Sequence, residues 1–379
     1  MRIGILTLPL YCNYGGIIQC YALQTILQRM GHETFILQRE FNRKHTFIGA
    51  CIYYTKHFIK LLLGRQSSWH YYVDPKRHDY IAKNTYQFIE KNIKPRSKHC
   101  FTTEELKQEY LKQKLNAIIV GSDQVWRPDY SPCITNYYLD FISNNDKTKK
   151  ISYGASFGSD KWNYSKEQTI LCGTLLQQFD FVSVRESSGI KLCKEHFHID
   201  AKQVVDPTLL LEPEDYQTLL SSNQTKRGNL FCYILDKNQK KKDIINLIAT
   251  KNHFKPFESM PQLSDTTYNL YKDIDKCVYP PIEKWLSAFM EADMVLTDSF
   301  HGTVFSIIFN KPFWVIGNKE RGMARFDSIL SLFNLKNRFI VDYEHRNLNI
   351  NEPIEWSSVN KKRQELKKES IQFLLNALH

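Results

Sequence analysis

The sequence predicts an α/β protein of two Rossmann-like, doubly wound domains in series, with a cleft between them and a C-terminal helix. Short β-branched runs alternate with helical patterns along most of the chain, which is typical of parallel sheets covered by helices on both faces. The alternation pauses in a polar, turn-rich stretch after residue 207 and then resumes, and the chain closes on a basic amphipathic pattern. We therefore expect domains at 1–207 and 208–358, and a terminal helix at 359–379.

In the first domain, β-rich runs predict strands at 2–8, 34–38, 116–121, 150–157, 179–185 and 203–205. The patterns between them predict helices at 16–30, 78–92, 164–178 and 187–197. The run that opens the chain is short and lacks the longer apolar region and the small-residue cleavage site of a secretory signal, so we interpret it as the first strand.

The segment at about 40–115 interrupts this alternation and is predicted to be a helical, basic insertion. Its first part mixes aromatics, lysines and histidines with weak periodicity, and residues 39–115 hold 16 Lys and Arg against 7 Asp and Glu. One interpretation is a helical lid over the first sheet. The other is an interfacial element whose aromatics and lysines contact an anionic membrane.

In the second domain, the pattern predicts strands at 230–235, 276–279, 294–297 and 313–316. Helices are expected at 237–251, at 282–291 and from about 302 onward. Two open parallel sheets in series favour a ligand site in the cleft, because ligands of such sheets bind at the carboxyl ends of the strands.

The composition limits the class of protein. Of the 379 residues, 42% are apolar and 13% aromatic, which excludes a disordered chain. No uninterrupted apolar run reaches the roughly 18 residues of a membrane-spanning helix. The nine cysteines form no C-x-x-C pair, which fits reduced thiols in a cytoplasmic protein better than a disulfide framework or a zinc site.

Two strand ends in the first domain carry small and polar residues. Asn13, Gly15 and Gly16 follow the first strand and predict either a loop that approaches a ligand or a simple turn; their spacing does not match a dinucleotide fingerprint. Residues 121–124 follow a buried run, and among them Asp123 is a candidate general base, a group that orients one, or a helix cap.

Arg185 stands at the end of a third strand, where a helix begins. Its planar guanidinium group suits a carboxylate or a phosphate, and the alternative is an ion pair with the adjacent Glu186. This position favours an anionic ligand in the cleft.

His301 lies between two apolar runs, just after the strand predicted at 294–297. Asp298 or Ser299 can cap the following helix, which places the imidazole in its first turn, at the positive end of the helix dipole. A histidine there is a candidate acid–base or phosphate-binding group, and Gly302 would leave room beside it. The alternative is a structural histidine.

Lys319, Arg321 and Arg325 lie within seven positions after the strand at 313–316. They predict either a cationic clamp for an anion or a solvated basic turn. Together, the five strand ends favour a small, phosphorylated donor. They do not favour a nucleic acid, which would need basic residues across an extended face with stacking aromatics.

The residues at these strand ends occur in an ordered set of short motifs. They are NYGG at 13–16, GSDQVW at 121–126, SVRES at 183–187, VDPT at 205–208, DSFHG at 298–302, and Arg325. With this order and spacing, the sequence resembles the polysaccharide pyruvyl transferase family. The resemblance covers most of the chain, although residues 40–115 carry little of it.

The resemblance implies a GT-B-like architecture without a metal requirement and without a cofactor. It implies transfer of the enolpyruvyl unit of phosphoenolpyruvate, as co-substrate, to two hydroxyls of a sugar, expected to be galactose, with release of phosphate. The implied acceptor is a capsular, exopolysaccharide or wall glycan, often lipid-linked. The expected place of action is the cytoplasm or the inner face of the cell membrane.

The expected site residues divide by role. The catalytic residues are His301, Asp123 and Arg185. The donor-binding residues are Arg185, Ser299, His301, Gly302, Thr303, Lys319, Arg321 and Arg325. The acceptor-binding residues are Asn13, Tyr14, Gly15, Gly16, Ser122, Asp123, Gln124 and Trp126. His301 matches the catalytic histidine of the family and Arg185 a donor-binding arginine.

The sequence departs from the family pattern at two positions. Many members carry an arginine two positions before the histidine, where this chain has Ser299, and many carry an acid where Gly16 stands. The second donor cation is therefore expected from Lys319, Arg321 or Arg325.

Two other functions fit the same architecture. The first is a nucleotide-sugar-dependent glycosyltransferase, for which an acidic residue near the ribose would be expected; Glu320 is the acid closest to the basic cluster in the sequence. The second is a non-catalytic binding protein that kept the fold.

Overall fold

The first domain contains a six-stranded, wholly parallel sheet in the order β2-β1-β3-β4-β5-β6. The computed structural model describes residues 1–41, 54–55, 58, 75–220, 227–317, 323–341 and 350–379. The strands are β1 (Arg2–Leu6), β2 (Glu33–Leu37), β3 (Ala117–Val120), β4 (Lys149–Ala155), β5 (Phe181–Val184) and β6 (Lys202–Gln203).

Helices cover this sheet. They are α1 (Tyr14–Arg29), α2 (Pro75–Ile81), α3 (Lys83–Asn92), α4 (Thr103–Gln113), α5 (Lys166–Leu176), α6 (Ser187–Leu192) and α7 (Pro213–Gln217). Because both faces are covered, β3 is buried along its whole length. This burial explains why the central strands appear in the sequence as continuous apolar runs.

The second domain contains a five-stranded parallel sheet in the order β11-β10-β9-β7-β8. Its strands are β7 (Leu230–Tyr233), β8 (Pro256–Phe257), β9 (Met294–Thr297), β10 (Phe313–Ile316) and β11 (Phe339–Ile340). Its helices are α8 (Gln239–Asn252), α9 (Thr267–Lys272), α10 (Ile282–Glu291), α11 (Phe300–Ile308) and α12 (Ala324–Leu332), and α13 (Trp356–Leu378) closes the chain.

The predicted fold class of two parallel α/β domains is confirmed, and the structure corrects several elements. The strand predicted at 276–279 is wrong: Ile274–Cys277 forms a 3₁₀ turn, and the N–H of Tyr279 donates to the carbonyl of Ile81 in the first domain. This segment therefore pairs with a helix end of the other domain instead of with a sheet. The short strands β8 and β11 and the short helices α7 and α9 were not predicted.

One apolar core runs through both domains. It joins the helix-covered faces of the two sheets and includes Ile17 and Leu23 of the first domain with Trp285 and Phe305 of the second. A shared core of this kind holds the two sheets at a defined separation, so that side chains at their carboxyl ends can meet.

The last helix, α13, crosses back to the first domain. Its Ser370 hydroxyl accepts a hydrogen bond from the N–H of Val205 at 3.0 Å, and its Phe373 packs against Tyr153 and Phe181. The helix begins at Trp356, three residues before the predicted start at 359.

The predicted insertion at about 40–115 is described only in part. Its described part contains α2, α3 and α4, and α4 is capped by Thr102, whose side chain accepts from the N–H of Glu105. The lid or membrane element predicted there falls largely on 42–53 and 59–74, which lie outside the described residues. Within the described ranges, no helix combines the length and the apolar character needed to cross a membrane.

Candidate active site

Four ionisable side chains meet at the carboxyl ends of the two sheets. Asp123 follows β3, Arg185 follows β5, Asp206 follows β6, and His301 stands at the second position of α11 after β9. We call these four residues the interdomain cluster. All four are buried, three come from the first domain, and His301 comes from the second.

Arg185 lies at the centre of the interdomain cluster. Its Nη1 donates to Asp206 Oδ2 at 2.9 Å and its Nη2 to Asp123 Oδ1 at 3.1 Å. The guanidinium also lies over the ring of Phe300, 4.3 Å from the centroid. With 3% of its surface exposed, Arg185 remains charged there because the two carboxylates compensate its desolvation.

Asp206 is completely buried and accepts hydrogen bonds from several directions. Besides Arg185, the hydroxyl of Ser122 donates to Oδ2 at 3.1 Å, and the N–H and hydroxyl of Thr208 donate to Oδ1 at 3.1 and 2.7 Å. Burial alone would raise the pKa of Asp206, but His301 and Arg185 outweigh it and hold that pKa below its usual range. Asp206 is therefore an ionised, fully ligated carboxylate.

His301 faces the first domain. Its Nε2 lies 3.7 Å from Asp206 Oδ2, which is longer than a hydrogen bond, and this buried nitrogen has no hydrogen-bond partner among the described residues. The ring lies against the backbone of Gly15: a Cβ atom there would be 2.0 Å from Nδ1. Ser299 caps α11 by accepting from the N–H of Gly302 at 3.4 Å.

Asp123 is held in an uncommon backbone conformation, with φ at +69°. An aspartate tolerates this left-handed region better than most residues, and such conformations cluster at functional sites. Its Oδ2 accepts from Asn13 Nδ2 at 3.1 Å, which directs the carboxylate toward the N-terminus of α1.

A second guanidinium approaches from the second domain. Arg325 lies in the first turn of α12 and is buried; burial, and then the neighbouring Arg185 charge, lower its pKa to about 10. The charges of Arg325 and Arg185 thus act on each other across the two domains, and perturbed buried groups of this kind are typical of functional sites. The helix α12 is fixed against the first domain by Ser328, whose hydroxyl accepts from the N–H of Ser187 at 3.1 Å.

Glu186 borders the same arginines. Its Oε1 accepts from the N–H of Phe157 at 2.9 Å, and its buried Oε2, which has no hydrogen-bond partner among the described residues, lies 3.8 Å from Arg185 Nε. Burial raises the pKa of Glu186, although Arg185 and then Arg325 act in the opposite direction. The ion pair considered for Arg185 and Glu186 is thus weaker than the contacts of Arg185 with Asp123 and Asp206.

The family model for polysaccharide pyruvyl transferase matches residues 13–320, a span that holds the whole interdomain cluster. The chain belongs to the polysaccharide pyruvyl transferase family. None of the curated protein sequences matches this transferase significantly.

Solved structures share the fold of the transferase. UDP-GlcNAc 2-epimerase from Methanocaldococcus jannaschii, in complex with UDP-GlcNAc and UDP, is 12% identical with a TM-score of 0.50, and the match covers 99% of this chain and 100% of that one. The N-terminal domain of trehalose-6-phosphate phosphatase from Candida albicans is 12% identical with a TM-score of 0.51, covering 100% and 96%. These likenesses show the fold alone, and the two parallel sheets with their covering helices are GT-B-like.

Two residues predicted to bind the acceptor have packing roles in the transferase. Trp126 is completely buried, stacks on Tyr138 and donates from Nε1 to the carbonyl of Tyr137 at 3.1 Å. Tyr14 is buried at the domain interface, where its hydroxyl donates to the carbonyl of Pro280 at 2.7 Å. Both side chains were expected in the wall of a site, and their burial gives them no open face for a sugar.

The remaining predicted residues divide between the site and its supports. Gln124 is buried and its Oε1 accepts from Arg127 Nη1 at 3.1 Å. The Thr303 hydroxyl donates to the carbonyl of Ser299 within α11. Gly302 does not make room for a ligand as expected: a Cβ there would be 2.1 Å from Thr297 Oγ1, so the glycine lets α11 pack closely on β9.

Lys319 and Arg321, predicted to bind the donor, lie outside the described residues, as does Glu320. Asp298, considered as a cap, is instead a buried support: it pairs with Lys241 at 2.6 Å and accepts from the N–H groups of Leu235 and Asp236.

The sequence analysis assigns Asp206 no catalytic or binding role, although it satisfies the same rule as the other residues, because it closely follows β6 at the carboxyl end of the sheet. Residues 205–208 enter that analysis only as one of the family motifs and as a pause between domains. Its position two residues before Thr208, which donates to its carboxylate, is the signal that could have identified it.

Proposed function

We propose that this transferase moves the enolpyruvyl group of phosphoenolpyruvate onto two hydroxyls of a sugar, forming a cyclic pyruvate ketal and releasing phosphate. The acceptor is proposed to be a galactose unit of a lipid-linked capsular or exopolysaccharide precursor. The observation that carries this proposal is the buried imidazole of His301, whose Nε2 has no hydrogen-bond partner within the described residues and lies 3.7 Å from the Asp206 oxygen that accepts from Arg185.

Two arginines suit this donor. In phosphoenolpyruvate, the carboxylate and the oxygen of the phosphate ester are bonded to the same carbon. A guanidinium can bind either anionic group with two parallel hydrogen bonds. Arg185 would bind from the first domain and Arg325 from the second. Arg325 would thus supply the cation that many family members place at the position of Ser299.

The reaction needs an acid and a base. His301 would protonate the methylene carbon, which becomes the ketal methyl group and leaves an oxocarbenium-like centre at the neighbouring carbon. The first hydroxyl adds there and gives its proton to Asp123. The carbon–oxygen bond to phosphate then breaks, and the second hydroxyl adds to the same carbon. Of the two hydroxyl protons, one replaces the proton that His301 gave up, and the other leaves on hydrogen phosphate. Acid–base groups of this kind contribute ~10²–10⁴-fold each.

No cofactor enters these steps, and none is proposed. The lipid-linked acceptor would bring the transferase to the cytoplasmic face of the membrane, and the surplus of Lys and Arg over Asp and Glu at 39–115 supports peripheral contact with anionic lipids there. Nucleic acid is not a proposed partner.

The alternative is nucleotide-sugar-dependent glycosyl transfer. The likeness to an epimerase solved with UDP-GlcNAc gives it some support through the fold. Against it, both oxygens of Asp298, the acid directly after β9, accept from Lys241 and two N–H groups of the β7–α8 loop, so this completely buried carboxylate is not presented to a ribose.

The two functions require different donors. Thermal stabilisation and phosphate release with phosphoenolpyruvate and a galactoside, but none with UDP-sugars, are expected. Stabilisation by UDP-sugars alone would support the alternative instead.

A further inference from the structure

The two carboxylates on Arg185 are held differently. Asp206 is completely buried and has three further donors, from Ser122 and Thr208. Asp123 has Asn13 as its further side-chain donor, and Asn13 itself is exposed. Removing Asp206 from Arg185 would therefore break a fixed network, whereas Asp123 can leave Arg185 at the loss of one contact.

Asp206 also faces the second domain. The Oδ2 atom that accepts from Arg185 Nη1 is the one that lies 3.7 Å from His301 Nε2. One oxygen thus lies between the arginine of the first domain and the histidine of the second. Asp123, in contrast, faces Asn13 and the N-terminus of α1.

We propose that Asp206 is a positioning residue that keeps Arg185 and His301 in one arrangement throughout turnover, whereas Asp123 is an exchangeable partner that leaves Arg185 when the donor anion binds. This inference rests on the proposed function. The donor carboxylate or phosphate takes Nη2 of Arg185 in place of Asp123 Oδ1, while Nη1 stays on Asp206.

The exchange has a consequence for the order of binding. Asp123 keeps its contact with Asn13, but its Oδ1 becomes free to accept the proton of the acceptor hydroxyl. The base is therefore available only after the donor has bound. The donor binds first, and the acceptor second.

Replacing each aspartate by asparagine tests the roles of the two carboxylates separately. Asp123→Asn removes the charge that competes with the donor, so calorimetry should find inorganic phosphate and phosphoenolpyruvate bound about tenfold more tightly, although turnover is lost. Asp206→Asn should not tighten phosphate binding. It should lower kcat by about a hundredfold with a much smaller change in KM, because His301 loses the buried negative charge that lies 3.7 Å from its Nε2.

Two further variants separate positioning from folding. Thr208→Val keeps the Asp206 charge but removes one donor, and should lower kcat by about tenfold even if Asp206→Asn fails to fold. Glu291→Gln breaks the ion pair with Arg227, 3.0 Å long and at the amino ends of the second sheet. It should lower the melting temperature without changing kcat or phosphate affinity.

Phosphate affinity that is unchanged or weakened in Asp123→Asn would overturn the exchange. A kcat within about threefold of wild type in both Asp206→Asn and Thr208→Val would overturn the positioning role. If the wild-type protein releases no phosphate from phosphoenolpyruvate with any galactoside, the proposed function fails, and the affinities for inorganic phosphate still decide the exchange.

Discussion

His301 Nε2 of the second domain lies 3.7 Å from Asp206 Oδ2 of the first, so the site is complete only when the two domains are together. Each domain supplies what the other lacks. The first contributes carboxylates and Arg185, and the second contributes the imidazole and Arg325. Any movement that separates the sheets would take the proposed acid away from the proposed base.

The imidazole is the proposed acid, so His301→Ala should lower turnover by ~10²–10⁴-fold while the fold stays intact. The ring packs between the domains, and within the described part of the chain its Nε2 makes no hydrogen bond whose loss would destabilise the protein. Coupled assays of phosphate release, with circular dichroism as the folding control, measure this. Release at the wild-type rate would remove His301 from the mechanism.

Gly15 should not tolerate a side chain. An alanine Cβ would be 2.0 Å from His301 Nδ1 and 2.3 Å from Cγ, so the ring must leave its present position beside Asp206. We expect Gly15→Ala to lower kcat by about a hundredfold. Gly173→Ala in α5 is the control, since its Cβ would make a tight contact of 3.1 Å with the Phe197 ring, which is not part of the interdomain cluster. Equal activity of the two variants would contradict the packing of His301 on Gly15.

Arg325 is expected to bind the donor. Arg325→Ala should raise the KM for phosphoenolpyruvate by about tenfold to a hundredfold, the loss of a charge-assisted hydrogen bond. Arg338→Ala removes another buried arginine of the second domain, which donates to the carbonyls of Glu352 and Pro353, and should reduce stability without changing that KM. A KM that stays unchanged in Arg325→Ala would refute the assignment.

The position of Ser299 offers a gain-of-function test of the same assignment. In an Arg325→Ala background, Ser299→Arg restores a guanidinium at the position where many family members have one. It should recover part of the lost affinity for phosphoenolpyruvate, seen as a lower KM. If the double variant binds no better than Arg325→Ala, the two positions do not serve the same group of the donor.

Glu212 should anchor the terminal helix in a pH-dependent way. Burial would raise its pKa, but hydrogen bonds from Lys367, Gln364 and Arg363 lower it to about 2, below the ordinary 4.5. Its contribution to stability is therefore full above about pH 4.5 and is lost as the pH falls toward 2.

The corresponding variant is Glu212→Gln. Because a third of the side chain is exposed, we expect a loss of about 1 kcal/mol at neutral pH, measured by denaturant unfolding, that shrinks below pH 4.5. Glu365→Gln, which removes the exposed pair with Lys362, should have a smaller effect. A destabilisation of Glu212→Gln that is constant with pH would exclude the ionised carboxylate as its cause.

The sequence is informative where chemistry follows strand ends. The rule that polar side chains after parallel strands share one edge of the sheet selects Asp123, Arg185 and His301 from the sequence alone, and the structure places all three in one cluster. The rule fails where contacts join distant parts of the chain. Trp126 and Tyr14 have the types and positions of site residues, but their partners, Tyr138 and Pro280, make them packing residues.

Two short strands were not predicted from the sequence for a related reason. Pro256–Phe257 and Phe339–Ile340 have two residues each, too few for a period, and they pair only because β7 and β10 present free edges. Asp206 was missed because its importance depends on His301, 95 positions later in the chain and in the other domain.

The most direct test of the proposed reaction is mass spectrometry of a galactose-containing acceptor incubated with phosphoenolpyruvate and either wild-type protein or His301→Ala. We expect the wild type to add one pyruvate less one water to the acceptor, with one phosphate released for each, and the variant to add none. An unmodified acceptor with the wild type, or an equally modified one with His301→Ala, would contradict the proposed reaction.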